Sequence, residues 1–308
     1  VQMLVWLASR QASYCGGLFH RDAEKMLGNA TPDWLIARIA EIVPDADALV
    51  LYDQRDDDKT NPLRLLPHTG GADEGYSITL SAWEELYSSR GNRRTRHNDR
   101  RREKRLTEYA SWHARIITSV HERRARMQTM FTQKRQWMHE RGISDFLADE
   151  INRSLLMDLA SSQPIAFEPV VAALDVAGQT AAVSFGITHG NAHYSLITSI
   201  HPDEKFWPFT PGDILFRHVL KFMCDSGVEH FDLGLGTTVP KEQYADHRFR
   251  MLHTLVPLTV PGRTFVAALR CQLAVKRLIK ETPPLWTLFQ RARSVRGAVQ
   301  GVFDRTSG

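Results

Sequence analysis

The sequence predicts an α+β fold in which a mixed, mostly antiparallel sheet is flanked by helices. Three apolar stretches separated by two short turns predict an antiparallel meander. The stretches are residues 169–176, 179–188 and 192–200. A helix over residues 212–225 and a strand over 228–233 follow, with Gly227 in the turn between them. Because such a crossover joins parallel strands, the strand before the helix and the strand after it are expected to lie parallel.

The remaining elements are predicted from apolar spacing and from residues that begin or end helices. Thr31-Pro32-Asp33 is a helix start, with Thr31 as the cap, and Pro44 ends that helix. The other expected strands are residues 3–8, 48–52, 77–80 and 113–117. The other expected helices begin near Ser81 and cover residues 121–141 and 145–160.

Composition excludes several classes of protein. The 308 residues are 43% hydrophobic and 24% charged, which is typical of a folded globular chain. The cysteines Cys15, Cys224 and Cys271 are far apart and odd in number, so neither a disulfide framework nor a structural zinc site is predicted. No apolar run approaches the length of a membrane-spanning helix. The chain begins at Val1 within an apolar stretch, and we expect the natural N-terminus to lie upstream.

Positive charge is concentrated in two segments, although the net charge is only +4. Nine of the sixteen residues from Arg90 to Arg105 are Lys or Arg. Nine more follow from Arg263 to the C-terminus. The first segment is either a solvated helix between two halves of the protein or a surface for phosphate groups. Because no aromatic residues are interleaved with its arginines, nucleic acid is the less favoured partner.

The start of the predicted crossover helix has the composition of an anion site. Pro211 has no amide proton to leave unpaired in the first turn, and Gly212 allows a phosphate group to approach the backbone. Several free N–H groups and the positive end of the helix dipole would then face the anion. We therefore predict that residues 209–213, namely Phe209, Thr210, Pro211, Gly212 and Asp213, bind a phosphate-bearing cofactor.

Five segments taken in order resemble a known family. They are SAWEELYSSRGNRRTRHNDRRREKRL, FTQKRQWMHERG, VVAALDVAGQTAAVSFGITHGNAHYSLITS, FTPGDILFRHVLKFMCDSGVEHFDLGLG and VPKEQYADHRF. Across residues 31–262 the chain resembles the GNAT superfamily of acyltransferases, and within it the CelD-like acetyltransferases of cellulose and polysaccharide synthesis. One departure concerns the arginine-led phosphate loop of many GNAT enzymes, which is replaced by Trp207-Pro-Phe-Thr-Pro-Gly212.

The resemblance implies two GNAT-like halves, a design shared with the FemAB aminoacyltransferases. We place a degenerate half at residues 1–110, the acyltransferase half at 111–262 and a basic amphipathic helical tail at 263–308. The implied reaction moves an acetyl or acyl group from acetyl-CoA or another acyl-CoA, without a metal, to an amine or hydroxyl of a small molecule or saccharide. The alternatives are aminoacyl-tRNA as donor, or a non-catalytic protein that holds a polyanion or a membrane.

Four residues are candidates for the chemistry. Asp232 ends the last strand of the crossover beside Gly234 and Gly236, where it could act as the base or orient the acceptor. His193 and Tyr194 alternate on the preceding strand, so one of them is expected to face the cleft. The family has a Tyr-Lys pair near residue 240, and only Lys241 matches it here. Lys241 is a candidate to bind an anionic acceptor or a cofactor phosphate.

The C-terminal segment suggests where the protein acts. Phe265, Leu269 and Leu273 recur at helical spacing among basic residues, and Trp286 and Phe289 continue the pattern after Pro283-Pro284. Such a helix could lie on anionic lipid or pack on the rest of the chain. We expect a cytoplasmic enzyme, with peripheral contact to the inner membrane as the alternative in which this segment lies on lipid.

Overall fold

The computed structural model describes residues 1–7, 14–17, 19–20, 22–90, 93–236, 238–282 and 284–285. These residues form two compact units. Unit 1 comprises Val1–Gly75 and the described residues from Arg248 onward, and unit 2 comprises Tyr76–His247. The predicted domain boundary after residue 110 falls inside unit 2.

The described part of the chain contains the following strands and helices. The strands are β1 (Met3–Leu4), β2 (Ala48–Arg55), β3 (His68–Thr79), β4 (Trp112–Ile117), β5 (Glu168–Val176), β6 (Gln179–His189), β7 (Ala192–Ile200), β8 (His230–Leu235) and β9 (His247–Pro257). The helices are α1 (Ala23–Leu27), α2 (Pro32–Ile42), α3 (Trp83–Arg90), α4 (Arg93–Tyr109), α5 (Val120–Glu140), α6 (Glu150–Ser161), α7 (Pro211–Asp225), α8 (Val239–Tyr244) and α9 (Val260–Glu281).

In unit 1 a small sheet is covered by helices. β1 pairs in parallel with β2, and β2 pairs antiparallel with β9. Leu35 of α2 packs with Leu49 and Leu51 of β2, while Val266 of α9 packs with Val50. Since successive residues of β2 point to opposite faces, α2 and α9 cover opposite sides of the strand. As predicted, Thr31 caps α2, its hydroxyl accepting from the amide of Trp34 at 3.3 Å.

In unit 2 the strand order is β8-β7-β6-β5-β4, with the end of β3 beside β8. All neighbouring pairs from β4 to β7 are antiparallel, and β7 and β8 are parallel. The meander and the crossover predicted from the turns and apolar runs are therefore confirmed.

Helices cover both faces of the unit 2 sheet because both faces of its central strands are apolar. Val170, Ala172 and Leu174 of β5 pack toward α7. The alternate residues Val171 and Ala173 pack with Met127 of α5 and its neighbours. Parallel and mixed sheets that are buried on both faces show this continuous apolar run instead of an alternation.

The α+β class is confirmed, and several element boundaries are corrected. β3 extends over His68–Thr79, whereas a strand over residues 77–80 was predicted. No elements were predicted at β9 and α8. The first strand covers Met3–Leu4, and Ala8 lies outside the described residues. The same is true of Trp286 and Phe289, on which the prediction for the tail partly rested. None of the helices among the described residues combines the length and hydropathy needed to span a bilayer.

Candidate active site

Two neighbouring parallel strands of unit 2 separate from each other part-way along their length. β7 and β8 are paired at three positions, Ala192–His230, His193–Phe231 and Tyr194–Asp232. Both strands continue beyond these positions, β7 to Ile200 and β8 to Leu235, without pairing with each other. Backbone groups that face the gap therefore lack the partners that a continuous ladder would supply. A ligand inserted between the strands could bind them.

A β-bulge in β7 accompanies this separation. The pairing of β6 with β7 shifts between Phe185–Ile197 and Gly186–Ser195, which leaves Leu196 as the extra residue. A bulge bends the strand that carries it and increases the local twist. Because the bulge lies two residues beyond the last β7–β8 pair, it directs the end of β7 away from β8.

Asp232 and Lys241 lie at the edge of the gap. Asp232 is buried, and its carboxylate accepts a hydrogen bond from the amide of Gly234 at 2.8 Å. Gly234 has a φ of +71°, which an L-residue rarely adopts. Lys241 donates from Nζ to the carbonyl of Leu235 at 2.6 Å. Burial lowers the pKa of Lys241 to about 8, and the negative charge of Asp232 partly opposes that shift. The structure thus brings together two of the four predicted residues.

His193 and Tyr194 face opposite sides of the sheet. The His193 ring packs on Phe231 with ring centroids 4.7 Å apart, and its Nδ1 lies 3.0 Å from the Thr188 hydroxyl. Burial lowers the pKa of His193 to about 4, so its imidazole is neutral at pH 7. Tyr194 is the register partner of Asp232, which places these two side chains on one face. His193 therefore lies on the opposite face from the Asp232 side chain.

The start of α7 offers fewer free amides than the sequence suggested. Thr210 has a φ of +50° and makes no side-chain cap. Its carbonyl accepts from the amides of Asp213 at 2.9 Å and Ile214 at 3.2 Å. Pro211 has no amide proton. Among the described residues of the first turn, only Gly212 therefore has an amide that makes no hydrogen bond within the helix. The expectation of several free N–H groups was wrong, because Thr210 closes the first turn from the left-handed region.

Other parts of the predicted cofactor segment are packed against the core. Phe209 is buried and its ring lies 5.1 Å from that of Tyr109. A Cβ on Gly212 would lie 3.2 Å from Ile200 Cγ2, so the beginning of α7 packs closely on the end of β7. Asp213 faces Arg102 of α4, whose Nη1 is 3.7 Å from its carboxylate. The backbone at Gly212 is thus the part of residues 209–213 best placed to contact a phosphate.

The arginine-rich segment forms α4, and its inner face is held to α7 by a buried ionic cluster. Arg217 of α7 donates to Asp99 at 3.1 Å and to Glu103 at 2.6 Å. The Tyr87 hydroxyl donates to the second oxygen of Asp99 at 3.3 Å. Sequence reasoning did not find this cluster, because Asp99 and Arg217 are 118 positions apart. The signal in the sequence was two acidic residues, Asp99 and Glu103, within a run of basic residues.

Two polar residues of α5, for which no contact was predicted from the sequence, bind the sheet. Lys134 donates from Nζ to the carbonyl of Thr198 in β7 at 3.1 Å. Gln133 donates to the carbonyl of Thr180 and accepts from the Ser199 hydroxyl, both at 2.8 Å. These contacts fix the part of β7 that lies beyond the bulge. Within the described residues no group of three or more His, Cys, Asp and Glu side chains could hold a metal ion.

Residues 93–245, all within unit 2, match the family described as acetyltransferase (GNAT) domain. This segment contains the parting strands, α7 and all nine predicted site residues. No curated protein sequence matches the chain significantly.

Solved structures with the same fold share little sequence with this chain. FemX superposes with a TM-score of 0.52 at 11% identity, over 78% of this chain and 79% of FemX. The C-terminal domain of a putative lysylphosphatidylglycerol synthetase from Agrobacterium fabrum gives a TM-score of 0.51 at 14% identity, over 78% of this chain and 76% of that domain. The likeness concerns the fold alone. Residues 93–245 are thus similar to the acetyltransferase (GNAT) domain family, and the solved structures share the α+β fold of this chain.

Proposed function

We propose that the protein transfers an acetyl or acyl group from acetyl-CoA or another acyl-CoA to an amine or hydroxyl of a small molecule or saccharide. The observation that carries this proposal is the separation of β7 from β8 after three paired positions. The gap exposes backbone hydrogen-bonding groups in a position where an extended, amide-containing chain can pair with them. The family match of residues 93–245 supports the same reaction class.

In this proposal the residues at the edge of the gap act on the acceptor. Asp232 takes the proton from the acceptor's hydroxyl or amine as the new acyl bond forms and the thiolate leaves. Gly234 holds the Asp232 carboxylate in place through its amide. Lys241 in its charged form binds an anionic group of either substrate, and Tyr194 lies on the same face as Asp232 to orient the acceptor. Gly212 contributes its amide to the donor phosphates.

Calorimetric titration with coenzyme A tests the proposed donor. We expect saturable binding to the wild-type protein and none to Gly212→Arg, because a Cβ at Gly212 would lie 3.2 Å from Ile200 Cγ2 and the new side chain would displace the start of α7 from β7. Gly70→Arg adds the same charge where a Cβ meets no atom within 4 Å, so it controls for the added charge alone. The proposal fails if coenzyme A does not bind the wild-type protein, or if both variants bind it equally well.

Aminoacyl-tRNA is the second candidate donor, and the outer face of α4 favours it. This face carries the exposed residues Arg93, Arg94, Arg100, Arg101, Lys104 and Arg105, which we call the basic stripe. They recur at three- and four-residue spacing and so lie on one side of the helix. A row of cations of this kind suits a nucleic-acid backbone. Binding of tRNA in low salt, with no binding of coenzyme A, would favour this donor.

We further propose that the acceptor belongs to cell-surface polysaccharide metabolism and that α9 brings the enzyme to an anionic membrane. Val275 and Leu278 are 56% and 60% exposed and lie beside Lys276 and Arg277. Apolar and basic groups on one exposed turn suit the lipid interface. Co-sedimentation with phosphatidylglycerol vesicles tests this, and Leu278→Glu should abolish it. Equal sedimentation of the variant would contradict membrane contact through α9.

A further inference from the structure

A polar cavity of about 320 Å³ lies between α4, α7 and α8 in unit 2. Its walls include Asn98 and Arg102 from α4, Phe216 from α7, and Gln243 and Tyr244 from α8. This volume is at the lower end of the range of about 300–1,000 Å³ found for small-molecule sites. The cavity lies on the α7 side of the sheet, on the opposite face from the Asp232 side chain.

The cavity contains buried polar atoms without partners. Tyr244 is 2% exposed, and its hydroxyl has no hydrogen-bond partner among the residues that the structure describes. The side-chain nitrogen of Gln243 is likewise buried without a partner. Leaving a buried donor unpaired costs about 1–3 kcal/mol, so such atoms in a cavity wall need an explanation. A ligand that accepts from both groups would remove that cost.

The Arg102 side chain points into the same space without short contacts. Its Nη1 lies 3.7 Å from the Asp213 carboxylate and 4.0 Å from that of Asp99, both beyond hydrogen-bond distance. Asp213 therefore faces the cavity with a carboxylate that can still accept hydrogen bonds. Burial raises the pKa of Asp213, an effect that the charges of Arg102 and Arg217 partly oppose.

The charged side chains in the wall of the cavity balance in number, and Glu103, outside the wall, pairs with Arg217. Arg102 and Arg217 line it together with Asp99 and Asp213. A site with two cations and two anions favours neither an anionic nor a cationic ligand. The unpartnered groups, a phenol and an amide, are neutral. Phe216 adds an apolar surface, with its ring 5.6 Å from that of Tyr244.

From this combination we propose that the cavity binds a neutral, polyhydroxylated molecule, such as a mono- or disaccharide. Hydroxyl oxygens of the ligand accept from Gln243, Tyr244 and Arg102, and ligand hydroxyl groups donate to Asp213. One face of the ligand packs on Phe216. The proposal does not depend on which donor the protein uses, because no residue of the gap between β7 and β8 takes part.

Binding of neutral sugars to the full chain tests this site. Calorimetry with glucose and cellobiose should give saturable binding, whereas gluconate and glucosamine, which carry a charge, should bind more weakly. Tyr244→Phe should weaken the binding about five- to tenfold, since one hydrogen bond is lost. Gln243→Met should have a similar effect. Tyr52→Phe, which alters a tyrosine of unit 1, should bind as the wild type does.

Thermal unfolding separates loss of the site from loss of the fold. Without sugar, Tyr244→Phe should unfold at the wild-type temperature or above it, because an unpaired buried hydroxyl has been removed. With sugar, the wild type should be stabilised more than the variant. The proposal is overturned if neither neutral sugar binds, if the charged analogues bind more tightly, or if Tyr244→Phe and Gln243→Met bind as the wild type does.

Discussion

Asp232 combines burial, a fixed hydrogen bond and a position at the point where two strands separate. Asp232→Asn keeps an oxygen that can accept from Gly234 but removes the base. We expect kcat to fall by about 10²–10⁴, the usual contribution of general base catalysis. Release of coenzyme A from acetyl-CoA in the presence of amine and saccharide acceptors measures the effect. Asp225→Asn, at the exposed end of α7, is the control and should keep full activity.

The lowered pKa of Lys241 predicts that the stability of the protein depends on pH in the alkaline range. Its pKa is about 8 in the folded protein, against an ordinary value of 10.5. Between these two values the unfolded chain binds the proton and the folded chain does not, so the contribution of Lys241 to stability increases as pH rises. Urea denaturation from pH 7.5 to 10.5 should show this rise in the wild type and a smaller one in Lys241→Met. Identical slopes would mean that Lys241 is solvated.

His193 predicts a loss of stability in acid. Its pKa is about 4 in the folded protein and 6.5 ordinarily, so the unfolded chain takes up the proton first as pH falls. The stabilisation is complete above pH 6.5 and is lost toward pH 4, by about 3 kcal/mol. His193→Gln should show a shallower decline in denaturant titrations. His189→Gln, at an exposed position, should decline as the wild type does.

At the scale of elements, the contact between α4 and α7 depends on Arg217. The Arg217 side chain is 7% exposed and pairs with that of Asp99, which is 6% exposed. Arg217→Met leaves the Asp99 carboxylate buried without its cation, which typically costs about 3–5 kcal/mol. Urea denaturation measures the loss. Adding Asp99→Asn should restore part of it, and a loss below about 1 kcal/mol for the single variant would show that the pair is solvated.

The pairing of β6 with β7 in unit 2 depends on close packing at one glycine. A Cβ on Gly186 of β6 would lie 2.5 Å from the carbonyl of Tyr194 and 2.6 Å from His193 Nε2. The bulge in β7 begins at this position. Glycine here therefore permits the irregular pairing of β6 with β7 that precedes the gap.

At the scale of the whole molecule, the location of charge matters more than its sum. If the basic stripe binds a polyanion, the triple variant Arg100→Ala, Arg101→Ala, Lys104→Ala should bind tRNA more weakly. Its affinity should also depend less on salt. The slope of log association constant against log salt concentration should become shallower by about 0.7–0.9 for each phosphate that the variant no longer neutralises. Filter binding across a salt series measures both quantities.

An equally charged variant provides the control for that experiment. Arg263→Ala, Lys276→Ala, Arg277→Ala removes three cations from α9 and leaves the stripe intact. If both triple variants lose the same affinity, net charge alone governs binding. Only a larger loss in the α4 variant would assign the polyanion site to the stripe.

Much of the fold follows from local sequence signals. Turn residues such as Ala177-Gly178 and the apolar runs beside them determine the meander, because short apolar strands and tight turns depend on nearby residues. The parallel arrangement of β7 and β8 follows from the helical crossover that joins them. β9 and α8 were missed because their residues mix charged and apolar types without clear periodicity.

By itself the sequence determined the α+β class, the order of strands in the meander and the nine candidate site residues, all of which depend on local patterns and on resemblance. Tertiary structure decided that Asp232 and Lys241 both lie at the edge of the gap, that His193 faces the other side, and that Thr210 closes the start of α7. It alone also revealed the cavity at Tyr244, whose walls come from residues more than a hundred positions apart. The physical reason is that burial, pKa and the pairing of polar atoms depend on neighbours in space, which the order of residues along the chain does not specify.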